Sequence, residues 1–515
     1  MPQNDAVRQS AASMSQTVLA LAPTVLGLMI ARMGLIVSAY GSYSSTDQGI
    51  YTDGSSILAM LPLFIFMCVL GKTRIRLVKK HIFVLTSIAI AVQAASIIAL
   101  GVSMHEFPIT RAAQLKPKPE PKTLSFGLSV IITLSSYLSI FYWLRRARGA
   151  SSSSAATIAF GSLLLSEPLI YLASLMPHGV ACLAVGLLTL AQFICQKYAR
   201  CRPLVENIHA ETTPLGYFGF AERMIDGVRL LAILALGMLL LSFAVGILRC
   251  FPDGSPIPFS PATRVAYMAL EMLLFAALIW RSFRGSRSVM TISIWVILEA
   301  SGVIALICYA FFPNNLAIGA IFTTVFNAGM TGFMWYLVVA FSSFGNRDPY
   351  YYAIAGWMVF MVPRAIARIL MEIAPGSMGD TPLFAIVAAL IAANAQLVFV
   401  QIIWTERTVS NEKSSATAKS IRTLLGLDDA VKEDPASIRR ALMQDNTKQM
   451  QNQFLLSDRE TEVLTLYAMG LTQRKIAEEL CISPGTTHTH IKRIYIKTDL
   501  HSRQEILDYI ERYTG

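Results

Sequence analysis

The sequence predicts an all-α protein in two parts: a polytopic transmembrane helical bundle of about twelve spans, then a small four-helix domain at the C-terminus. Three observations carry this. Hydrophobic residues make up 54% of the 515 and charged residues only 15%, against roughly a quarter charged in an ordinary soluble chain. The charge is segregated, because long stretches before Trp404 hold almost none while the chain after it is polar. Closely spaced helix-start signals then crowd the stretch from Leu455 to Tyr513.

A membrane-crossing helix needs about 20 mainly apolar residues. Such windows centre near Leu28, Phe64, Gln93, Thr133, Leu165, Gly186, Met238, Leu273, Ile297, Asn327, Val362 and Ala392. The first is too long for a cleaved signal peptide and reads as a retained span. Met176-Pro177-His178-Gly179 is a turn-like join that implies a hairpin of the fifth and sixth spans. No short-period repeat is visible, and a repeat between the two halves would be too weak to read from one sequence.

The net charge of +11 does not by itself indicate nucleic acid, since most of the excess sits in short connections between apolar segments. Those connections orient the bundle, because Lys and Arg favour the cytoplasmic side. With the N-terminus inside, the inside connections hold Lys72, Arg74, Arg76, Lys79 and Lys80, then Arg145, Arg146 and Arg148, then Lys197, Arg200 and Arg202, then Arg281, Arg284 and Arg287. One connection, with Arg111, Lys116, Lys118 and Lys122, is basic yet faces outward. An even span count returns the C-terminus to the cytoplasm. The expected location is the cytoplasmic (inner) membrane, multi-pass, with lipid as a partner and both termini inside.

The seven cysteines form no CxxC or CxxxC pair, so no disulfide framework or metal site is expected. No phosphate loop or nucleophile arrangement is present either, so the chain reads as a non-enzyme without cofactor. Ionisable residues inside spans are costly and mark functional sites by default. They are Arg32, Glu167, Glu271, Glu299, Arg364 and Arg368. Two readings stand: structural ion pairs, or a polar cavity in which Arg32, Glu167, Glu271 and Arg364 bind a small organic anion, with Asn327, Asn394 and Gln396 adding hydrogen bonds. Pro363 beside Arg364 suggests a kinked or broken eleventh span.

In the tail, Ser457-Asp458-Arg459-Glu460 is a capping box opening a helix that Gly470 ends. Thr472 caps a second helix, Ser483-Pro484 starts a third that runs to about Thr498, and Ser502-Arg503-Gln504-Glu505 opens a fourth. Four short helices with a tight turn between the second and third describe a helix-turn-helix module. On the third helix Thr487, Ile491, Ile494 and Thr498 share a core face, while His488, Thr489, Lys492, Arg493 and Lys497 lie opposite. A basic exposed face of this kind neutralises phosphates and reads base edges in a major groove.

The spaced residues Leu456, Arg459, Glu460, Val463, Leu464, Gly470, Ile476, Ala477, Leu480, Ser483, Thr486 and His490 resemble the LuxR-type helix-turn-helix pattern. The resemblance implies a third helix in the major groove, contacting DNA through His488, Thr489, Lys492, Arg493 and Lys497. It also implies Thr472, Gln473 and Lys475 near the DNA backbone, and a fourth helix that pairs two copies on DNA. The chain departs from the pattern at Thr487 and Thr498, whose hydroxyls on the core face must find a backbone carbonyl or cost about 1–3 kcal/mol, and at His488, where the family has lysine. The twelve-span part is similar in count and topology to major-facilitator transporters, although Gly71-Lys72-Thr73-Arg74-Ile75-Arg76 lacks their usual loop acid. The expected organisation is a sensor-like membrane domain 1–404, a cytoplasmic linker 405–452 and a LuxR-type domain 453–515. The expected function is a regulator that senses a small ligand and binds double-stranded promoter DNA as a homodimer; a transporter or transceptor with a regulatory tail is the alternative.

Overall fold

The computed structural model describes residues 20–38, 49–73, 77–103, 122–200, 227–283, 293–373, 380–401 and 443–511, with isolated gaps in the longer stretches, together with Ala221, Met224 and Ile225. The connection holding Arg111, Lys116 and Lys118 lies outside the described residues, as does most of the linker, including the pattern around Ile421–Leu425.

Among the described residues, twelve helices are long and apolar enough to cross a membrane, and each expected centre falls inside one of them. They are α1 (Ala20–Ser38), α2 (Gly49–Thr73), α3 (Lys79–Ser103), α4 (Lys122–Arg146), α5 (Ser152–Ser174) and α6 (His178–Arg200), then α7 (Val228–Leu248), α8 (Pro261–Phe283), α9 (Ile294–Phe311), α10 (Ala317–Phe344), α11 (Pro349–Ile373) and α12 (Asp380–Gln401). Helices are the form such segments must take, since the backbone groups find no water in hydrocarbon and satisfy one another. Pro363 does not break α11, which runs continuously through it; neighbouring helices re-satisfy what a proline frees.

The turn at 175–177 joins α5 to α6, yet the two are not each other's main partners. Helix α6 packs chiefly on α3, and α5 on α8. The reason is steric fit: a Cβ on Gly186 would lie 2.6 Å from Ile98 Cγ1, so α6 approaches α3 closely only with glycine there. A repeat also emerges that the sequence hid. The pairings α3–α4 and α2–α4 recur six helices later as α9–α10 and α8–α10. Across the halves, α2–α11 matches α8–α5, and α4–α11 matches α10–α5.

One end of the bundle is tied shut by polar contacts. Asp348, buried between α10 and α11, takes Arg145 Nη1 at 2.5 Å and the backbone N–H groups of Leu77 and Tyr350 at 3.0 Å each. Arg347 donates to Gly71 O, Arg148 Nε to Ser342 O at 2.7 Å, and the Gly149 N–H to Ser343 Oγ at 3.1 Å. The acid missing from the α2–α3 connection is thus supplied by the other half of the chain. Arginines expected to orient the bundle also fasten it.

The tail has its own core. Its helices are α13 (Asp458–Ala468), α14 (Gln473–Glu479), α15 (Pro484–Thr498) and α16 (Arg503–Glu511). The capping box forms in both directions, Glu460 N–H to Ser457 Oγ at 3.2 Å and Ser457 N–H to Glu460 Oε2 at 2.7 Å. Gly470 ends the turn after α13 at φ 99°, a conformation that favours glycine. Thr472, Ser483 and Ser502 accept N–H bonds from Lys475, Thr486 and Glu505 at 3.4, 3.0 and 3.1 Å. Thr487 and Thr498 are buried on the core face, and both hydroxyls find carbonyls, Ser483 O at 3.3 Å and Ile494 O at 2.8 Å. Neither hydroxyl is therefore an orphan group.

The core extends upstream into the stretch expected to be linker. The described residues between Met443 and Phe454 are helical. Met450 is fully buried in the tail's core, Thr447 shares a hydrogen bond with Thr465 at 2.6 Å, and Gln453 donates to the Tyr509 hydroxyl at 2.5 Å.

Glu460 predicts how the tail responds to acid. Burial disfavours its charge, but the Lys497 ammonium at 2.5 Å and the Ser457 N–H outweigh this and hold the carboxyl below its usual range. A carboxylate depressed in the folded state adds stability above its unfolded value, and that stability is lost as pH falls through the folded value. Thermal melting of a 441–515 fragment should show Glu460→Gln less stable at pH 7 and with a flatter loss of stability below pH 5. Ser457→Ala should cost about 1 kcal/mol, or roughly 4–8 °C in a domain this small. An unchanged acid profile in Glu460→Gln would remove this account.

Candidate nucleic-acid interface and intramembrane cavity

Helix α15 divides as its periodicity requires. Thr487, Ile491, Ile494 and Thr498 are buried, whereas His488, Thr489, Lys492 and Arg493 are exposed together on the opposite side. Before it, Thr472, Gln473, Arg474 and Lys475 are exposed at the start of α14. The turn that sets α14 against α15 passes through Cys481 at φ 52°, a left-handed conformation uncommon outside glycine. Arg459, one of the motif residues, fixes the same corner from behind by donating to Leu480 O at 2.6 Å.

Lys497 differs from the other cations of the helix. It is half-buried and paired with Glu460, so it locks the end of α15 onto the start of α13. That pairing was not legible from either residue's neighbours in sequence. The fourth helix, α16, is also tied into the domain. Ile506 and Ile510 lie in the tail's own core, with Phe454 against Tyr509 edge-on at 5.4 Å. The exposed side of α16 is Gln504, Glu505 and Asp508 with half-buried Leu507, so a partner would meet a mostly polar surface.

Within the bundle, all four residues singled out for a ligand line one cavity of about 160 Å³: Arg32, Glu167, Glu271 and Arg364. That volume suits a small organic molecule. Arg32 pairs with Glu167 and donates to Ser166, while Arg364 donates to Asn327 Oδ1 at 2.8 Å. An ion pair therefore forms, as the structural reading expects, and it forms in the wall of a cavity. Glu271 is buried, and its Oε2 has no hydrogen-bond partner among the described residues.

Two further cations join the wall. Arg249 comes from the end of α7, and Arg368 lies one turn beyond Arg364 and pairs with Asp53 at 2.9 Å. Arg249 and Asp53 escaped notice because they sit at helix ends, where charge is ordinary. The floor is aromatic, with Trp335 and Trp357 stacked at 6.4 Å and Tyr137 edge-on to Trp357 at 5.6 Å. Four arginines against two glutamates make this lining suited to an anion. Asn394 and Gln396 are absent from it: Asn394 is buried against α7 beside Gly237, and Gln396 is exposed on the bundle surface. Glu299 lies outside it as well.

The tail has clear relatives. Residues 455–510 match the family described as bacterial regulatory proteins, luxR family. The chain is 39% identical over 59 residues to the Fimbriae Z protein of Escherichia coli K12, covering 12% of this chain and 28% of that protein. It is 42% identical over 55 residues to the oxygen regulatory protein NreC of Staphylococcus haemolyticus, covering 11% and 25%. The chain thus spans about a quarter of the length of the curated relatives it matches, and all of that match lies in the tail. The capped helices, the exposed basic face of α15 and these matches identify residues 455–510 as a LuxR-type helix-turn-helix domain, carried behind a bundle of twelve helices long and apolar enough to cross a membrane.

Proposed function

We propose that this protein is a membrane-embedded transcriptional regulator that binds a small organic anion in the bundle and promoter DNA through its tail. The observation that carries the reading is the LuxR-type domain whose α15 presents Thr489, Lys492 and Arg493 outward. His488, Thr489, Lys492 and Arg493 face the bases and phosphates of a major groove, and Thr472, Gln473 and Lys475 lie along the backbone. Lys497 serves from the edge while holding Glu460. Two tails pair on DNA through α16, as is typical of the family. The termini are cytoplasmic, and the membrane holds the tails of a dimer at high effective concentration, so a weak interface between them is enough to be controlled.

Ligand binding at Arg32, Glu167, Glu271 and Arg364 shifts the bundle between two arrangements, and α12 and the linker pass the shift to the tails. About 3 kcal/mol of differential binding changes a minor active population roughly a hundredfold. The repeat of helix pairings, with the cavity between the two halves, favours a second reading: a transporter whose tail reports on its substrate.

Three outcomes test this. Lys492→Ala and Arg493→Ala should each weaken promoter binding by about 1–3 kcal/mol and lower the salt dependence by roughly one counterion. A folded tail with no preference in a selection over random DNA would end the regulator reading. Reporter fusions after Trp404 should be active only as cytoplasmic reporters and those after Pro313 only as external ones; the reverse result removes the topology. Arg364→Gln should abolish the transcriptional response to organic anions while leaving membrane insertion and DNA binding intact. Anion flux into vesicles that is lost in the same variant would instead support transport.

A further inference from the structure

The cavity is not central. Its lining draws on Arg249 and Phe259 at the α7–α8 connection, on Tyr267 near the start of α8, on Tyr309 near the end of α9 and on Ala320 near the start of α10. It ends at Trp335 and Trp357, which lie toward the other ends of α10 and α11. Beyond that aromatic floor the helices are packed without exposure at Phe141, Ala147, Ala150 and Ala155. The Asp348 network then closes the bundle.

Chain direction relates these two ends to the tail. Helices that cross in alternation put the connections 73–79, 147–151 and 345–348 on one face of the membrane. The last residue of α12, Gln401, lies on that same face, and from it the chain leads to the DNA-binding domain. The connections 249–260 and 312–316, beside which the cavity lies, are on the other. This assignment uses only the even number of spans and is independent of the distribution of Lys and Arg.

We infer that ligand enters the cavity from the face of the membrane opposite the tail, and that the Asp348 network keeps the tail face shut. This rests on the cavity being the ligand site. The bundle in this arrangement reads the anion outside the cytoplasm and offers it no path inward. Asp348 is suited to the task because its carboxylate holds three segments at once: Arg145 of α4, the Leu77 N–H before α3 and the Tyr350 N–H of α11. Removing its charge weakens all three contacts and takes from half-buried Arg145 its ion-pair partner.

The test is thiol labelling of the full-length protein in sealed membrane vesicles of either orientation. Thr331 lines the cavity and is partly accessible, so Thr331→Cys places a thiol there with little change in volume. A membrane-impermeant anionic methanethiosulfonate should modify it about tenfold faster from the face opposite the tail than from the tail face, after subtracting the unsubstituted chain. Adding Asp348→Asn should raise the rate from the tail face about tenfold, the size expected when a closed population shifts by that factor. Thr324→Cys, nearer the mouth, and Arg145→Gln repeat the measurement should either first variant fail to insert. Equal or faster labelling from the tail face in the Thr331→Cys protein overturns the inference, and so does a rate indifferent to both network variants. No ligand is needed for this measurement, so its failure leaves the Arg364→Gln test of ligand sensing standing, and a failure there leaves the labelling result intact.

Discussion

A charge removed from water must be answered within hydrogen-bond reach, and the bundle is arranged around the places where that happens. Asp348 shows the rule most fully, with Arg145 and two backbone N–H groups converging on one carboxylate. Arg145 and the Leu77 N–H come from the opposite half of the chain, so these two contacts also fix how the halves meet, while the Tyr350 N–H is a local cap. Arg32 with Glu167 and Arg368 with Asp53 obey the rule along the cavity wall. Glu271 departs from it, since its buried Oε2 has no hydrogen-bond partner among the described residues, and it lines the cavity. Breaking a buried pair typically costs about 3–5 kcal/mol because one charge is stranded, which makes each of these pairs a strong constraint on the arrangement.

Apolar runs and caps were legible in the sequence because each is a local property. Twenty apolar residues must be a helix in lipid, and a Ser-x-x-Glu that opens a helix must satisfy its own N–H groups. Both hold for α1 through α13 wherever the signal was strong. Partners distant in sequence were not legible. Nothing near Lys497 marks it for Glu460, and nothing near Gly71 marks it for Arg347. The short turn between α5 and α6 suggested neighbours, but the small residue at Gly186 decided for α3.

The candidate site followed the same division. Rarity made Arg32, Glu167, Glu271 and Arg364 stand out in apolar spans, and the fold brings the four together. Asp53 and Arg249 carry the same chemistry at helix ends, where charge is unremarkable to a reader of sequence. Asn394 had the right chemistry and the wrong azimuth. In the tail the exposed basic side of α15 was readable from period alone, whereas the difference between exposed Lys492 and Lys497 tied to Glu460 depends on a contact distant in sequence.

The helical residues between Met443 and Phe454 give the tail an entrance as well as a core. Among the described residues just before the capping box, Met450 is packed with Leu456, Ile506 and Ile510. That segment is joined to α16 through Gln453 and the Tyr509 hydroxyl, and to α13 through Thr447 and Thr465. Loosening Met450 would open part of the core that Ile506 and Ile510 share. A tail cut at residue 453 would lose the buried Met450 side chain and the hydrogen bond between Thr447 and Thr465, and with them part of what holds the domain together.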